Sequence, residues 1–348
     1  MAATLRDLGQ LAGVSHTTVA RALKGNRNVS EVVRQRVVNA ARELNYDKIS
    51  RFDHRKSVAV CVMNVNIPLC SSIMKGAEDI LHEHGYSVII QSVGCHGRHP
   101  SEVVPRFRSR GIGAVILQPG MCLDNANWLL DSVGAGFPIV LIDCKLPYIN
   151  MPYVVSDNFG GAVKLVKELA SQNCKKIAFF GIGGIGLSSV QERLAGYRAG
   201  LSYCGLPVNE DLILTCNMEW THHPKFLSWM NGSVKVDGVF TMNDMAFEFL
   251  VDKCMSENRE FLGRCKFATF DFPVRGFHYP VPITVAVQDT YRMGADAAKI
   301  AIELCEGRKS SGKVRQEVLD IEIIRNVACP LNSSVVKGEN ISNTSVLI

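Results

Sequence analysis

The chain has 348 residues, too many for one ordinary small domain and suited to a small module joined to a larger core. Its 47% hydrophobic and 20% charged residues exclude a disordered chain, and its apolar runs are too short for a membrane-spanning helix. The net charge of +5 is concentrated at one end: residues 1–56 hold 11 Lys/Arg against 5 Asp/Glu, and the other 292 hold 27 against 28. Such asymmetry is expected where one small module faces a polyanion.

Three short helices are predicted within residues 1–46. Thr4 precedes Leu5-Arg6-Asp7 as an N-cap, Asp7 favours the helix N-terminus, and Leu5, Leu8, Leu11 and Ala12 form an inner face at 3–4 spacing. Gly13-Val14 makes a tight turn. Ser15 caps a second helix from His16 to about Lys24 with Val19 and Leu23 inward, and Gly25–Asn28 breaks it. Ser30 caps a third helix, Glu31 to about Asn45, with Val33, Val37, Ala40, Ala41 and Leu44 inward. Two short helices joined by a glycine-containing turn are the helix-turn-helix pattern, whose second helix meets base edges with its first residues. His16 and Thr17 point outward there, and Arg21, one turn on, can reach a guanine or a phosphate. Ser15 and Thr18 at the helix start suit phosphate contacts.

Residues 47–57 form a short basic linker. From Val58 onward β-branched runs alternate with helical stretches in two series. The first has strands at Val58–Val62, Ser87–Gln91, Ala114–Leu117, Ile139–Ile142 and Val154–Ser156, with helices such as Ser72–His84 and Glu102–Arg108 between them. The second has strands at Lys176–Gly181, Leu212–Thr215, Gly238–Thr241, Lys266–Phe270 and Thr284–Ala286. Alternating βαβ units predict parallel sheets with helices on both faces, and two series predict two similar lobes that bind a ligand outside the carboxyl ends of their strands.

Several chemistries are disfavoured. The 12 cysteines are scattered with no C-x-x-C pair, as expected of buried, reduced thiols, and His222-His223 have no cysteine partner at zinc-ligand spacing. Gly181–Gly186 fits G-x-G-x-x-G, but it stands alone, and the next strand ends in Cys216-Asn217 where the fingerprint requires a ribose-binding acid. No nicotinamide cofactor is expected. No catalytic constellation can be assembled, so the chain is not expected to be an enzyme. The N-terminal MAATLRDLGQ has no apolar signal segment, which argues for the cytoplasm and against a secreted solute-binding protein.

The run TLRDLGQLAGVSHTTVARALKGNRNVSEVVRQRVVNAARELNY, residues 4–46, closely resembles the headpiece of the lactose-repressor (LacI/GalR-type) family. FPIVLID (137–143), VSDNFGGA (155–162), CKKIAFFG (174–181), RLAGYRAGL (193–201), GVFTMNDMA (238–246), FATFDF (267–272) and PITVAVQD (282–289) look like family blocks in the family's order. The resemblance implies an all-α helix-turn-helix headpiece and an α/β two-lobed, periplasmic-binding-protein-like domain with two doubly wound parallel sheets. It implies a homodimeric transcription regulator, a repressor, on a double-stranded DNA operator, tuned by a carbohydrate-like effector held between the lobes. His16, Thr17 and Arg21 fall on base-reading positions; Thr4, Ser15, Thr18, Lys24, Asn28 and Ser30 fall on backbone-contact positions. In the cleft, Arg193 is the guanidinium fork, Asn243 and Asp271 are further hydrogen-bonding groups, Asp143 and Gln288 lie nearby, and Trp220 stacks on a sugar face. A capping role remains open for Asp157 and Asp244, as does a plain core role for Trp220.

The resemblance also implies three crossings between lobes, near Asp157, Gln288 and Val314. Lobe 1 is then about 58–157 and 289–313, and lobe 2 about 158–288 and 314–327. Two departures stand out. The linker lacks the proline and the Ala-Arg-x-Leu segment of the family's hinge helix, leaving Ile49 or Phe52 as the only apolar wedge or else a flexible tether. Ile67-Pro68-Leu69 stands where the family often has an aromatic pair. The Ser/Asn-rich stretch 328–348 has no leucine heptad and is expected to be a disordered tail.

Overall fold

A computed structural model describes residues 3–23, 29–44, 46, 56–94, 97–120, 127–146, 148–216, 220–273, 281–307 and 314–327. The expected wedge residues Ile49 and Phe52 and the expected tail lie outside them, as do Lys24 and Asn28. The chain divides into two compact units at Ser57.

The first unit holds α1 (Leu5–Ala12), α2 (His16–Leu23) and α3 (Glu31–Glu43). Thr4 and Asp7 form a reciprocal capping box at the start of α1, and Gly13 ends it in the left-handed conformation at φ 63°. Leu8, Ala12, Val19, Ala22, Val37, Ala40 and Ala41 form the buried centre. Leu11 was expected inside but is 46% exposed, because the turn at Gly13 leaves Leu8 and Ala12 to carry the inner face. In α2 the buried positions are Val19, as expected, and Ala22, with Leu23 half-buried.

The second unit runs β1 (Ser57–Val62), α4 (Pro68–Glu83), β2 (Ser87–Ser92), α5 (Pro100–Ser109), β3 (Ala114–Leu117), α6 (Asn127–Gly134), β4 (Ile139–Ile142), β5 (Tyr153–Ser156) and α7 (Asn158–Ser171). It continues with β6 (Ile177–Ile182), α8 (Ser188–Tyr203), β7 (Ile213–Cys216), α9 (Pro224–Met230), β8 (Gly238–Thr241), α10 (Asp244–Glu257), α11 (Arg259–Arg264) and β9 (Lys266–Phe270). β10 (Ile283–Val287), α12 (Thr290–Cys305), β11 (Gln316–Leu319) and β12 (Glu322–Val327) complete it. Two six-stranded sheets result, ordered β11-β5-β4-β3-β1-β2 and β12-β10-β9-β8-β6-β7. All their described pairings are parallel except that of β12, which runs antiparallel to β10.

Each lobe is a layered sandwich because its central strands are apolar on both faces. In β1, Val58, Val60 and Val62 meet α4 and α12, while Ala59 and Cys61 pack with Val103, Val104 and Phe107 of α5 on the other side. The second lobe has an aromatic centre in which Phe179 and Phe240 meet edge to face at 5.3 Å.

The two sheets follow one plan, and each lends a helix to the other lobe. After β5 the chain crosses at Asp157, and α7 packs on α8 over the second sheet; after β10 it crosses back, and α12 packs on α4 over the first. Corresponding glycines allow both helix pairs to approach closely: a Cβ on Gly76 would strike the carbonyl of Tyr291, and one on Gly196 that of Phe159. The third crossing differs from expectation. Gln316–Leu319 pairs with Tyr153–Ser156 in the first sheet, so residues 316–319 belong to lobe 1 and the crossing falls at Asp320-Ile321 instead of Val314. The reason is a strand exchange: β11 and β12 are separated by only two residues and extend one sheet each.

Candidate functional site

At the start of α2 the Ser15 hydroxyl accepts from the Thr18 amide at 3.1 Å and lies 2.8 Å from the hydroxyls of both Thr17 and Thr18. This cap fixes the first turn and leaves His16, Thr17 and Arg21 exposed, with Thr18 half-buried. Thr4 donates its amide and hydroxyl to the Asp7 carboxylate, each at 2.7 Å, which holds the Asp7 carboxyl below the usual range. The Ser30 hydroxyl accepts from the Val33 amide at 3.4 Å. Thr4, Ser15 and Ser30 therefore each cap a helix start and lie at the surface.

Two cationic residues escaped the sequence reading. Arg36 donates to the carbonyl of Ala12 at the end of α1, and Arg34 donates to that of Ala22 in the last turn of α2 at 3.3 Å. Both guanidiniums neutralise the negative helix ends, so part of the headpiece charge holds the fold together. The available signal was weak: α1 has no basic residue of its own in its last turn.

In the second unit the expected cleft residues gather at the carboxyl ends of the strands. Asp143 directly follows β4 and Asp271 directly follows β9, and both adopt left-handed backbone, at φ 65° and 61°. Asp143 accepts from the Gln118 amide at 3.0 Å, and the Gln118 carbonyl takes the Met63 amide at 2.9 Å and lies 3.3 Å from the Cys70 thiol. Arg193, 5% exposed on α8, donates through Nε to Asn158 at 2.8 Å and through Nη1 to the carbonyl of Met242 at 2.7 Å. Its guanidinium carbon lies 3.8 Å from the centre of the Phe270 ring. Gln288 donates its side-chain amide to Asp271 at 2.6 Å and its backbone N–H to the same carboxylate at 3.4 Å.

These groups act on one another electrically. Burial lowers the Arg193 pKa, while Asp271 and Asp143 oppose that shift. Burial raises the Asp271 carboxyl against the counter-pull of Arg193 and Gln288. Asp244 is pushed up to about 6, first by burial and then by the neighbouring Asp271.

Asn243, the residue before Asp244, is the N-cap of α10 and accepts from the Ala246 amide at 2.9 Å. The cap left open between functional and structural readings thus belongs to Asn243, with Asp244 in the first turn; Asp157 does cap α7, accepting from Gly160 at 2.8 Å. Trp220 opens a short 3-10 turn, Trp220–His222, and its side chain lies outside the described residues.

Contacts between lobes close one side of this region. The Lys145 amide donates to the Ser188 hydroxyl at 2.8 Å, the Lys145 ammonium pairs with Glu192 at 2.6 Å, and the Cys144 thiol lies 3.4 Å from the Ser189 hydroxyl. Burial and the Asp143 charge drive the Cys144 pKa far up, so this thiol packs as a neutral group. A separate groove of about 470 Å³ lies at the amino ends of the second sheet, lined by Lys175, Lys176, Asn209, Asp211, Ser233 and Lys235. Those polar residues are all exposed, unlike the buried groups around Arg193.

Gly183 and Gly184, both at positive φ, shape the turn between β6 and α8, the helix that carries Arg193. His223 caps α9 by accepting from the Lys225 amide at 3.2 Å. Among the described residues no helix is long and apolar enough to cross a membrane.

Comparison with known proteins bears on both units. Residues 4–48 match the lacI family of bacterial regulatory proteins, and residues 55–246 match the periplasmic binding proteins and sugar binding domain of the LacI family. The HTH-type transcriptional regulator DegA of Bacillus subtilis is 22% identical over 96% of this chain and 100% of its own length. The HTH-type transcriptional repressor PurR of Vibrio parahaemolyticus is 23% identical over 95% of this chain and 100% of its own. Among solved structures, the transcriptional regulator CelR–cellobiose complex aligns with a TM-score of 0.67 at 24% identity, covering 94% of this chain and 100% of that one. The lac repressor dimer bound to operator and the anti-inducer ONPF aligns at 0.65 and 18% identity, covering 94% and 99%. With one match on the headpiece and another spanning more than half of the residues, the chain belongs to the lacI family of bacterial regulatory proteins.

Proposed function

We propose that this chain is a sequence-specific DNA-binding transcription regulator, acting as a repressor, whose operator affinity is set by a small carbohydrate-like effector bound between the two lobes. The observation that carries it is the exposed edge of α2, where a serine-capped start presents His16, Thr17 and Arg21 to solvent on a rigid three-helix unit. Helix starts of this kind deliver side chains and backbone amides to the major groove and its flanking phosphates. Thr4, Ser15, Thr18, Lys24, Asn28 and Ser30 are assigned to backbone contacts, with His16, Thr17 and Arg21 reading bases.

A homodimer follows from the small surface of one headpiece, since paired modules read two half-sites about one helical turn apart; the dimeric lac repressor on its operator supports this reading. Asp143, Arg193, Asn243, Asp271 and Gln288 form the effector site, and Trp220 is assigned to stacking. The chain works as a binding protein rather than an enzyme, in the cytoplasm where its DNA lies. Selection of duplexes from a random pool, followed by gel shifts with the winning sequence, tests the reading. A palindromic consensus bound by the dimer is expected. Equal binding of the winning and scrambled duplexes, unchanged by Arg21→Ala, would overturn it.

A further inference from the structure

Lobe 1 sends the segment after β4 across to α8 of lobe 2, and its residues meet the helix one after another. The Cys144 thiol lies 3.4 Å from the Ser189 hydroxyl. The Lys145 amide donates to the Ser188 hydroxyl at 2.8 Å, and the Lys145 ammonium pairs with Glu192 at 2.6 Å. Residues four apart on a helix share a face. Ser188 and Glu192 are so placed, and Lys145 therefore spans one turn of α8, with its backbone at one end and its charge at the other.

These contacts tie lobe to lobe. Lys145 lies beyond the end of β4 and Glu192 on α8, while the chain itself links the lobes at three crossings, near Asp157, after β10 and at Asp320-Ile321. The two side chains are 29% and 26% exposed, so the pair is partly withdrawn from water and is screened less than a fully exposed one. From the lobe 1 side, the centre of the Tyr153 ring lies 5.8 Å from the ammonium. Both segments also carry residues assigned to the effector site: Asp143 precedes Cys144, and Arg193 follows Glu192.

Resting on the reading of the chain as an effector-tuned DNA-binding regulator, we infer that Lys145 and Glu192 are a positioning pair that sets operator affinity. They favour the arrangement in which segment 143–145 lies along α8 over one in which it has parted from the helix. A contact made in only one of two arrangements biases the balance by its own free energy. An effector between Asp143 and Arg193 holds the same two segments, so any change it makes in their separation falls on this pair. Breaking the pair from either end moves the balance the same way, and exchanging its charges restores the contact.

The test uses the full chain and the duplex it selects from a random pool. Kd for that duplex is measured for Lys145→Glu, Glu192→Lys and the exchanged double variant, with urea midpoints alongside. Both single variants shift Kd in the same direction by about fivefold or more, and the exchanged pair recovers most of that shift. If the charge reversals do not fold, Lys145→Met and Glu192→Gln read the same common direction. A general effect of charge on DNA binding would move the two single variants in opposite directions, because one loses positive charge and the other gains it. Opposite shifts, Kd values equal to the parent's whatever the urea midpoints do, or no recovery in the exchanged pair overturns the inference while leaving the DNA-binding reading in place. Selection of no duplex by the parent overturns that reading and the inference together.

Discussion

Asp143 and Asp271 are structural counterparts: each directly follows the third strand from the shared end of its sheet, β4 or β9, and each holds a left-handed backbone, at φ 65° and 61°. Both carboxylates also act on the Arg193 guanidinium. Left-handed backbone is tolerated by Asp and Asn, whose short polar side chains bond locally, and is unfavourable for Ala. Asp143→Asn and Asp271→Asn should therefore keep the left-handed turn and lose only the charge that each carboxylate sets against Arg193. The corresponding alanine variants should lose a further ~1–2 kcal/mol from backbone strain alone. Alanine and asparagine variants of equal stability at both sites would refute the strain argument.

Arg193 holds two protein acceptors and faces two acids. Its truncation to Ala should destabilise the two-lobed unit by about 3–5 kcal/mol, because buried charges and the Met242 carbonyl lose their partner. Adding Asp271→Asn should recover part of that loss, which a double-mutant cycle in urea would quantify. Strict additivity of the two changes would show that the pair does not interact.

Asp244 makes a pH prediction with a definite sign. Its folded pKa of about 6 lies above the ordinary 3.8, so the native state binds this proton more tightly than the unfolded chain. Stability from this group is greatest below the ordinary value and declines as pH rises through about 6, beyond which the buried charge exerts its full penalty. Asp244→Asn should then raise stability by about 1–3 kcal/mol at pH 7.5 and leave it unchanged at pH 3.5. Urea midpoints of parent and variant at the two pH values check this; a constant difference between them would sink it.

The headpiece arginines divide by role. Arg36→Ala removes the cation at the end of α1 and should speed hydrogen exchange of α1 amides by the equivalent of about 1 kcal/mol, weakening preferred and random duplexes alike. Arg21→Ala should leave exchange untouched and cost about 1–3 kcal/mol on the preferred duplex. The reverse pattern would exchange the two assignments.

Much of the headpiece was legible in sequence because its determinants are local. Thr4, Ser15 and Ser30 act within three residues of themselves, and Gly13 supplies a turn no other residue adopts as readily. The β-branched runs marked every central strand for the same reason. The two last strands escaped, since Gln316–Leu319 and Glu322–Val327 mix charged and apolar residues at sheet edges, and the choice of sheet depends on which open edge lies nearest.

Sequence alone determined the family, the headpiece caps and the presence of Asp143, Arg193, Asp271 and Gln288 at strand and helix positions that could meet. Only the tertiary structure decided what they do to one another. Asn243, expected as a ligand group, carries a capping bond; Arg34 and Arg36, two of the headpiece's 11 Lys/Arg, close helix ends; and Gln288 is left with a buried oxygen unpaired. A residue's type sets which bonds it can make, but partners far apart in the chain, and the burial that makes those bonds matter, exist only once the two sheets are assembled.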